Sequence, residues 1–323
     1  MNGPSRTSHL ASHLAPTSAE TPPLIDTKRQ PTGSANSGAP GGTTTPAKNH
    51  ASRRTYRSRI DVIANQLSDR DRAILRTVDQ HGFLTVEQIR TLHFANLAPT
   101  SHRRATQVLA RLRERRLLGA LAQRVGGTHG GSHGLIHYVD VVGDRILHNR
   151  SGRGARRASE PSARFVGHRL AVADAHIALI AADRSGDLEL VDSAVEPASW
   201  RTSTGVGGAR LTLKPDLYAE TATNDDFVHA WFIEIDLGTE SIPTLLRKCR
   251  DYESYRQTGI EQDRHGSFPL VVWSITHRDP AKAEARRHAL VHAIARDRKL
   301  PSALFRIVAP GQLLPVIRNG GVQ

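Results

Sequence analysis

The stretch WFIEIDLGTES, residues 231–241, constrains the fold more than any other segment of the chain. Phe232, Ile233, Ile235 and Leu237 supply apolar content around Glu234 and Asp236, an alternation that reads as a β-strand. Period two sets Glu234 and Asp236 on one face together with Phe232. Such a pair of carboxylates either binds a cation or faces solvent. A second acidic signal, LKPDLYAE, places Asp216 directly after a proline at the start of an earlier strand. A hairpin can bring Asp216 beside Glu234 at one end of a sheet. Hard divalent ions such as Mg²⁺, or Mn²⁺ in its place, need oxygen ligands of this kind, with water and phosphate completing the shell. A bound ion of that type activates water and stabilises charge on phosphate.

The elements around this strand define a domain over residues 164–323. RFVGHRLAVADAHIALIAADR reads as a long helix ended by Ser185-Gly186-Asp187, and LELVDSA as a strand. Strands over ARLTLKPDLYAE and DDFVHAWFIEIDLG follow, then a helix over SIPTLLRKCRDYESYRQTG. FPLVVWSIT, a helix begun at Asp279-Pro280, and ALFRIVA complete the order. The polar, basic segment 151–163 reads as a linker before this domain.

The preceding region carries the charge. Residues 51–160 hold 20 Lys and Arg against 9 Asp and Glu, while residues 161–323 hold 20 of each. A basic block so localised is an electrostatic footprint for nucleic acid, with a solvated basic surface as the alternative. Within residues 59–150, LSDRDRAILRTVDQHG, FLTVEQIRTLHF and TSHRRATQVLARLRERRLLG read as three helices, two of them opening on capping-box patterns. Two strand-like pieces around a glycine-rich turn come next. That order predicts a winged helix-turn-helix. Its third helix offers forked donors, Arg103, Arg104 and Gln107, for a major groove, with Arg111 on an exposed position. Arg124, near the hairpin tip, can neutralise a phosphate. Residues 1–58 are rich in Ser, Thr, Pro, Gly and Ala, turn basic at their end, and read as disordered.

The pairing of Pro215-Asp216 with Glu234-x-Asp236 on the next strand resembles the PD-(D/E)XK nuclease superfamily. The joint layout of LSDRDRAILRTVDQHGFLTVEQIRTLHF and LKPDLYAE…FIEIDLGTES…LLRKCRDYESY is similar to the replication-relaxation family of plasmids and integrative elements, over roughly residues 65–275. The resemblance implies a winged helix followed by a restriction-endonuclease-like mixed-sheet domain with flanking helices, a mixture of α+β and α/β character. It implies DNA as partner, replication or conjugation machinery around it, and Asp216 and Glu234 as metal ligands of a Mg²⁺-dependent endonuclease or nickase. Asp236 stands where the superfamily usually has lysine, so it becomes a third candidate ligand, and Lys248 or Lys214 the candidate source of the missing cation. The alternative is a non-catalytic replication initiator or transcription regulator whose nuclease-like domain is degenerate.

Other residues weigh against competing chemistries. A single cysteine, Cys249, excludes a disulfide framework and cysteine-paired zinc, and fits a reducing cytoplasm. No leader is visible, and the run LAVADAHIALIAA is broken by Asp174 and His176, so the expectation is a cytoplasmic protein without a membrane span. His129, His133 and His137 recur every fourth residue, but among glycines that disfavour a helix. Tyr252 and Tyr255 match the nucleophile of DNA-nicking relaxases in spacing only, because no His-x-His occurs, and core packing is the expectation for both. His168 can approach the acidic edge from the long helix, although a packed or surface histidine is the default.

Overall fold

A computed structural model describes residues 59–94, 100–121, 135–148, 161–222 and 227–322. Helix α1 (Asp69–His81) begins on a capping box in which Ser68 and Asp71 exchange hydrogen bonds, and it ends at Gly82 with φ near 79°. Strand β1 (Leu84–Thr85) leads into α2 (Val86–His93), where Thr85 and Gln88 repeat the same reciprocal cap. Both caps satisfy backbone donors that a helix start leaves open. Helix α3 (Thr100–Glu114) then runs into β2 (Leu118–Leu121), and β3 (Ile136–Val139) pairs with both β1 and β2. Ile74, Leu75, Val78, Ile89, Leu109 and Leu112 close one core beneath this small antiparallel sheet. Helix α4 (Val141–His148) packs at its edge.

The 23-residue helix α5 (Ala163–Ser185) belongs to two cores at once. Ala173 and Ile177 pack with α1–α3, while Val172, Leu179 and Ala182 pack on the larger sheet. A helix covered on opposite sides must be apolar nearly all round. That explains why α5 is the one helix among the described residues long and apolar enough to cross a membrane, with half of its apolar window already buried. The described residues all fall within one compact unit, Ala51–Gln323.

The larger sheet holds β4 (Glu189–Val195), β7 (Leu217–Ala222), β8 (Val228–Asp236), β9 (Leu270–Ile275) and β10 (Phe305–Val308) in the order β10-β9-β8-β7-β4. Pairing is parallel across β10-β9-β8 and antiparallel across β8-β7-β4, so the sheet is mixed. A separate ribbon, β5 (Arg201–Thr204) with β6 (Arg210–Leu213), stands between β4 and β7 in sequence. Helix α5 and the short α9 (Leu313–Arg318) cover one face. Helices α6 (Ile242–Arg256) and α8 (Pro280–Arg296) cover the other, with α7 (Ile260–His265) between them in sequence. The expected mixed α+β architecture is therefore present, with helices on both faces of a mixed sheet.

Candidate functional site

Strand β8 alternates as its sequence dictates. Trp231, Ile233 and Ile235 point into the core under α5, whereas Phe232 lies in the core under α6 and α8. Glu234 and Asp236 share the Phe232 side by period two and end the strand. In the β7–β8 pairing Leu217 faces Ile233, so one further step sets Asp216 across from Glu234. Oδ2 of Asp216 accepts the Ile235 amide at 2.8 Å, fastening the end of β7 to β8 through a side chain. Asp216, Glu234, Asp236, Lys248 and His168 line one pocket together with Thr239, Glu240 and Trp273. All three acids are buried, at 5%, 1% and 3% exposure.

Each acid has a distinct set of partners. Nε2 of His168, from α5, lies 3.2 Å from Oδ1 of Asp216. Nζ of Lys248, from α6, donates to Oε2 of Glu234 at 2.5 Å, and the Tyr252 hydroxyl donates to Oε1. Asp236 accepts Nε of Arg286 on α8 and the Gly238 amide. Burial pushes the Glu234 carboxyl up to about 8, with the Asp216 charge adding to the rise and Lys248 pulling against it. Burial also opposes ionisation of Asp216, but His168, Lys248 and the Ile235 amide outweigh it and hold this carboxyl below its ordinary value. His168 and Lys248 are both raised: burial disfavours each cation, and the neighbouring carboxylates more than offset it. The two opposed acids thus differ sharply in proton affinity, a separation characteristic of functional sites.

The donor chemistry suits a hard divalent ion held by two carboxylates, Asp216 and Glu234, with water filling the rest of its shell. It does not suit a cage built from protein alone. Among the described residues no three His, Cys, Asp or Glu side chains are grouped to hold a metal ion. Both oxygens of all three acids already have polar partners, and on Asp236 one partner is a largely buried arginine, so an ion would have to displace Arg286 to reach that oxygen.

On the smaller sheet's side, Arg103, Arg104, Gln107 and Arg111 are all exposed on α3, and 103, 107 and 111 follow one another at four-residue steps along one face. Arg111 also pairs with the cap residue Asp71 at 2.5 Å. Arg124, His129 and His133 lie outside the described residues. His137 is buried in β3, with its pKa lowered to about 4 by burial. Tyr252 and Tyr255 are core residues as expected, their hydroxyls committed to Glu234 and Glu261.

Two features escaped sequence reasoning. Arg286 sits in EARRHALVHA, where helical spacing from Leu290 and Ile294 places it toward the sheet, but nothing in the pattern names Asp236 as its partner. His81 and His176, 95 residues apart, form a buried hydrogen-bonded pair at 3.0 Å where α1 meets α5.

A mixed sheet ending in a pocket of paired acids and a helix-borne lysine is joined to a helical region with an arginine-rich face. The replication-relaxation family model matches residues 75–271, more than half of the chain, and the chain belongs to that family. No curated protein and no solved structure shows significant similarity to it.

Proposed function

We propose that the protein binds DNA and acts inside the cell in the replication, relaxation or mobilisation of a plasmid or integrative element, cutting one or both strands with a divalent metal ion. The family membership supports the setting. The exposed arginines of α3, the order of α1–α3 and the three-stranded sheet support reading this part as a winged helix-turn-helix with α3 in the major groove. The convergence of Asp216 and Glu234 on one pocket with Lys248 carries the nuclease reading, of PD-(D/E)XK type.

In this reading Asp216 and Glu234 would hold Mg²⁺, and the ion would supply Lewis acidity toward a phosphodiester and toward water. Lys248 enters the pocket from α6 and in this reading stands in for the strand lysine that position 236, an aspartate, lacks. It restrains Glu234 and offers a cation to a scissile phosphate. Tyr252 fixes the second oxygen of Glu234, and His168 fixes Asp216. Asp236 is paired with Arg286, and that oxygen would become a ligand only by exchanging the arginine for the ion.

Incubation of supercoiled plasmid with the protein and Mg²⁺ or Mn²⁺ tests this. Nicking that Glu234→Ala abolishes is the expected result. A second reading, a non-catalytic replication or transcription factor, is favoured by the full set of proton donors already on the acids. It predicts plasmid binding without nicking under every metal.

A further inference from the structure

Among the described residues the β5–β6 ribbon pairs with no other strand, and its two faces differ in composition. On one face Arg201 donates to Glu261 at 3.1 Å and lies over the Tyr218 ring, while Leu213 is buried in the core. The other face carries Trp200, Thr202, Thr204, Arg210, Thr212 and Lys214, and all six are exposed. Cross-strand pairing sets Thr202 against Thr212 and Thr204 against Arg210. One step further along the register, Nζ of Lys214 lies 4.6 Å from the centre of the Trp200 ring.

This composition is selective. Residues 199–214 contain no Asp or Glu, so the face offers only hydroxyls, two cations and an indole. Glu196, which accepts from the Trp200 indole, is already paired with Arg169 at 3.2 Å. Trp231 and Trp273 are buried at 0% and 2%, whereas Trp200 is 38% exposed. Threonine hydroxyls and cations contact phosphates, and an exposed ring stacks on a base only where that base has left its duplex. The ribbon also leads directly into the pocket, since Lys214 is followed by Pro215 and Asp216.

We propose that this face receives an unpaired DNA strand, with Trp200 stacking on a base and Arg210 and Lys214 on the flanking phosphates, and directs that strand toward Asp216. The proposal rests on the DNA-handling reading above and adds single-stranded or melted DNA as the substrate class. It does not depend on the metal.

The test is fluorescence anisotropy of the full-length protein in EDTA with two probes, a labelled oligothymidylate and a labelled hairpin duplex. Trp200→Ala should weaken oligothymidylate binding by about fivefold or more, while Trp200→Phe keeps most of the affinity. Arg210→Ala with Lys214→Ala, both at exposed positions, should weaken the same probe and flatten its salt dependence. Hairpin binding should be unchanged in all three. Wild-type affinity for oligothymidylate in Trp200→Ala and in the double variant would overturn the proposal, as would equal losses on both probes. Absence of plasmid nicking would remove the nuclease reading and leave this result intact.

Discussion

Lys248 on α6 and Glu234 on β8 meet at 2.5 Å, one partly open to water and the other sealed at the end of the sheet. Because burial pushes Glu234 up to about 8, this contact gains ion-pair character as pH rises. Replacing Lys248 by Met should therefore destabilise the protein more at pH 9 than at pH 6, by at least about 1 kcal/mol in urea unfolding. Equal losses at the two pH values would show that Glu234 does not change its charge between them.

Glu234 also sets a pH dependence of its own. Its folded pKa lies above its unfolded value of 4.5, so its contribution is complete below about pH 4.5 and declines as pH rises to about 8. Glu234→Gln should gain on the wild type by about 1.4 kcal/mol per pH unit across that window. Parallel stability profiles for the two proteins would contradict the assignment.

The His81–His176 pair predicts the opposite trend in acid. The Thr77 carbonyl can only accept, so neutral His81 donates from Nδ1 at 2.9 Å and accepts on Nε2 from Nδ1 of His176. The Ser193 hydroxyl, 2.8 Å away, then donates to Nε2 of His176. Burial lowers both histidines, His176 to about 4, and for His81 the Arg169 charge adds to the effect. A lowered histidine stabilises fully above pH 6.5 and loses that stabilisation as pH falls towards 4. Between pH 7 and pH 5 the wild type should lose about 2 kcal/mol through His176 alone. His176→Asn should lose correspondingly less over the same interval, measured by urea unfolding at each pH. An identical acid response in that variant would sink the argument.

Duplex binding has a separate signature. Arg103→Ala with Arg104→Ala leaves the Arg111–Asp71 pair in place, so it tests charge without touching the cap of α1. Affinity for duplex DNA should fall and the slope of log K against log salt should become shallower by about 1 to 2. An unchanged slope would remove α3 from the DNA interface.

How much of this was legible in the sequence depends on whether the signal was local. The caps at Ser68 and Thr85, the alternation through Glu234, and the Pro215-Asp216 start of a strand are written in neighbouring residues, and each appears in the fold. The sequence offered both Lys248 and Lys214 as cations for the site, and of the two Lys248 lines the pocket. The Arg286–Asp236 and His81–His176 contacts were not, since both join residues that only tertiary packing brings together. Helix α5 shows a subtler limit. Its apolar surface was visible, but the reason for it, two cores meeting on one helix, emerges only when the helices before it and the sheet after it are in place.

The most direct measurement is a titration of metal-free protein with Mn²⁺ above pH 8, followed by electron paramagnetic resonance, in wild type, Asp216→Asn and Glu234→Gln. One ion bound by the wild type and lost in both variants is the predicted result. No bound ion in the wild type, or binding that survives both changes, would contradict a metal-dependent site in this pocket.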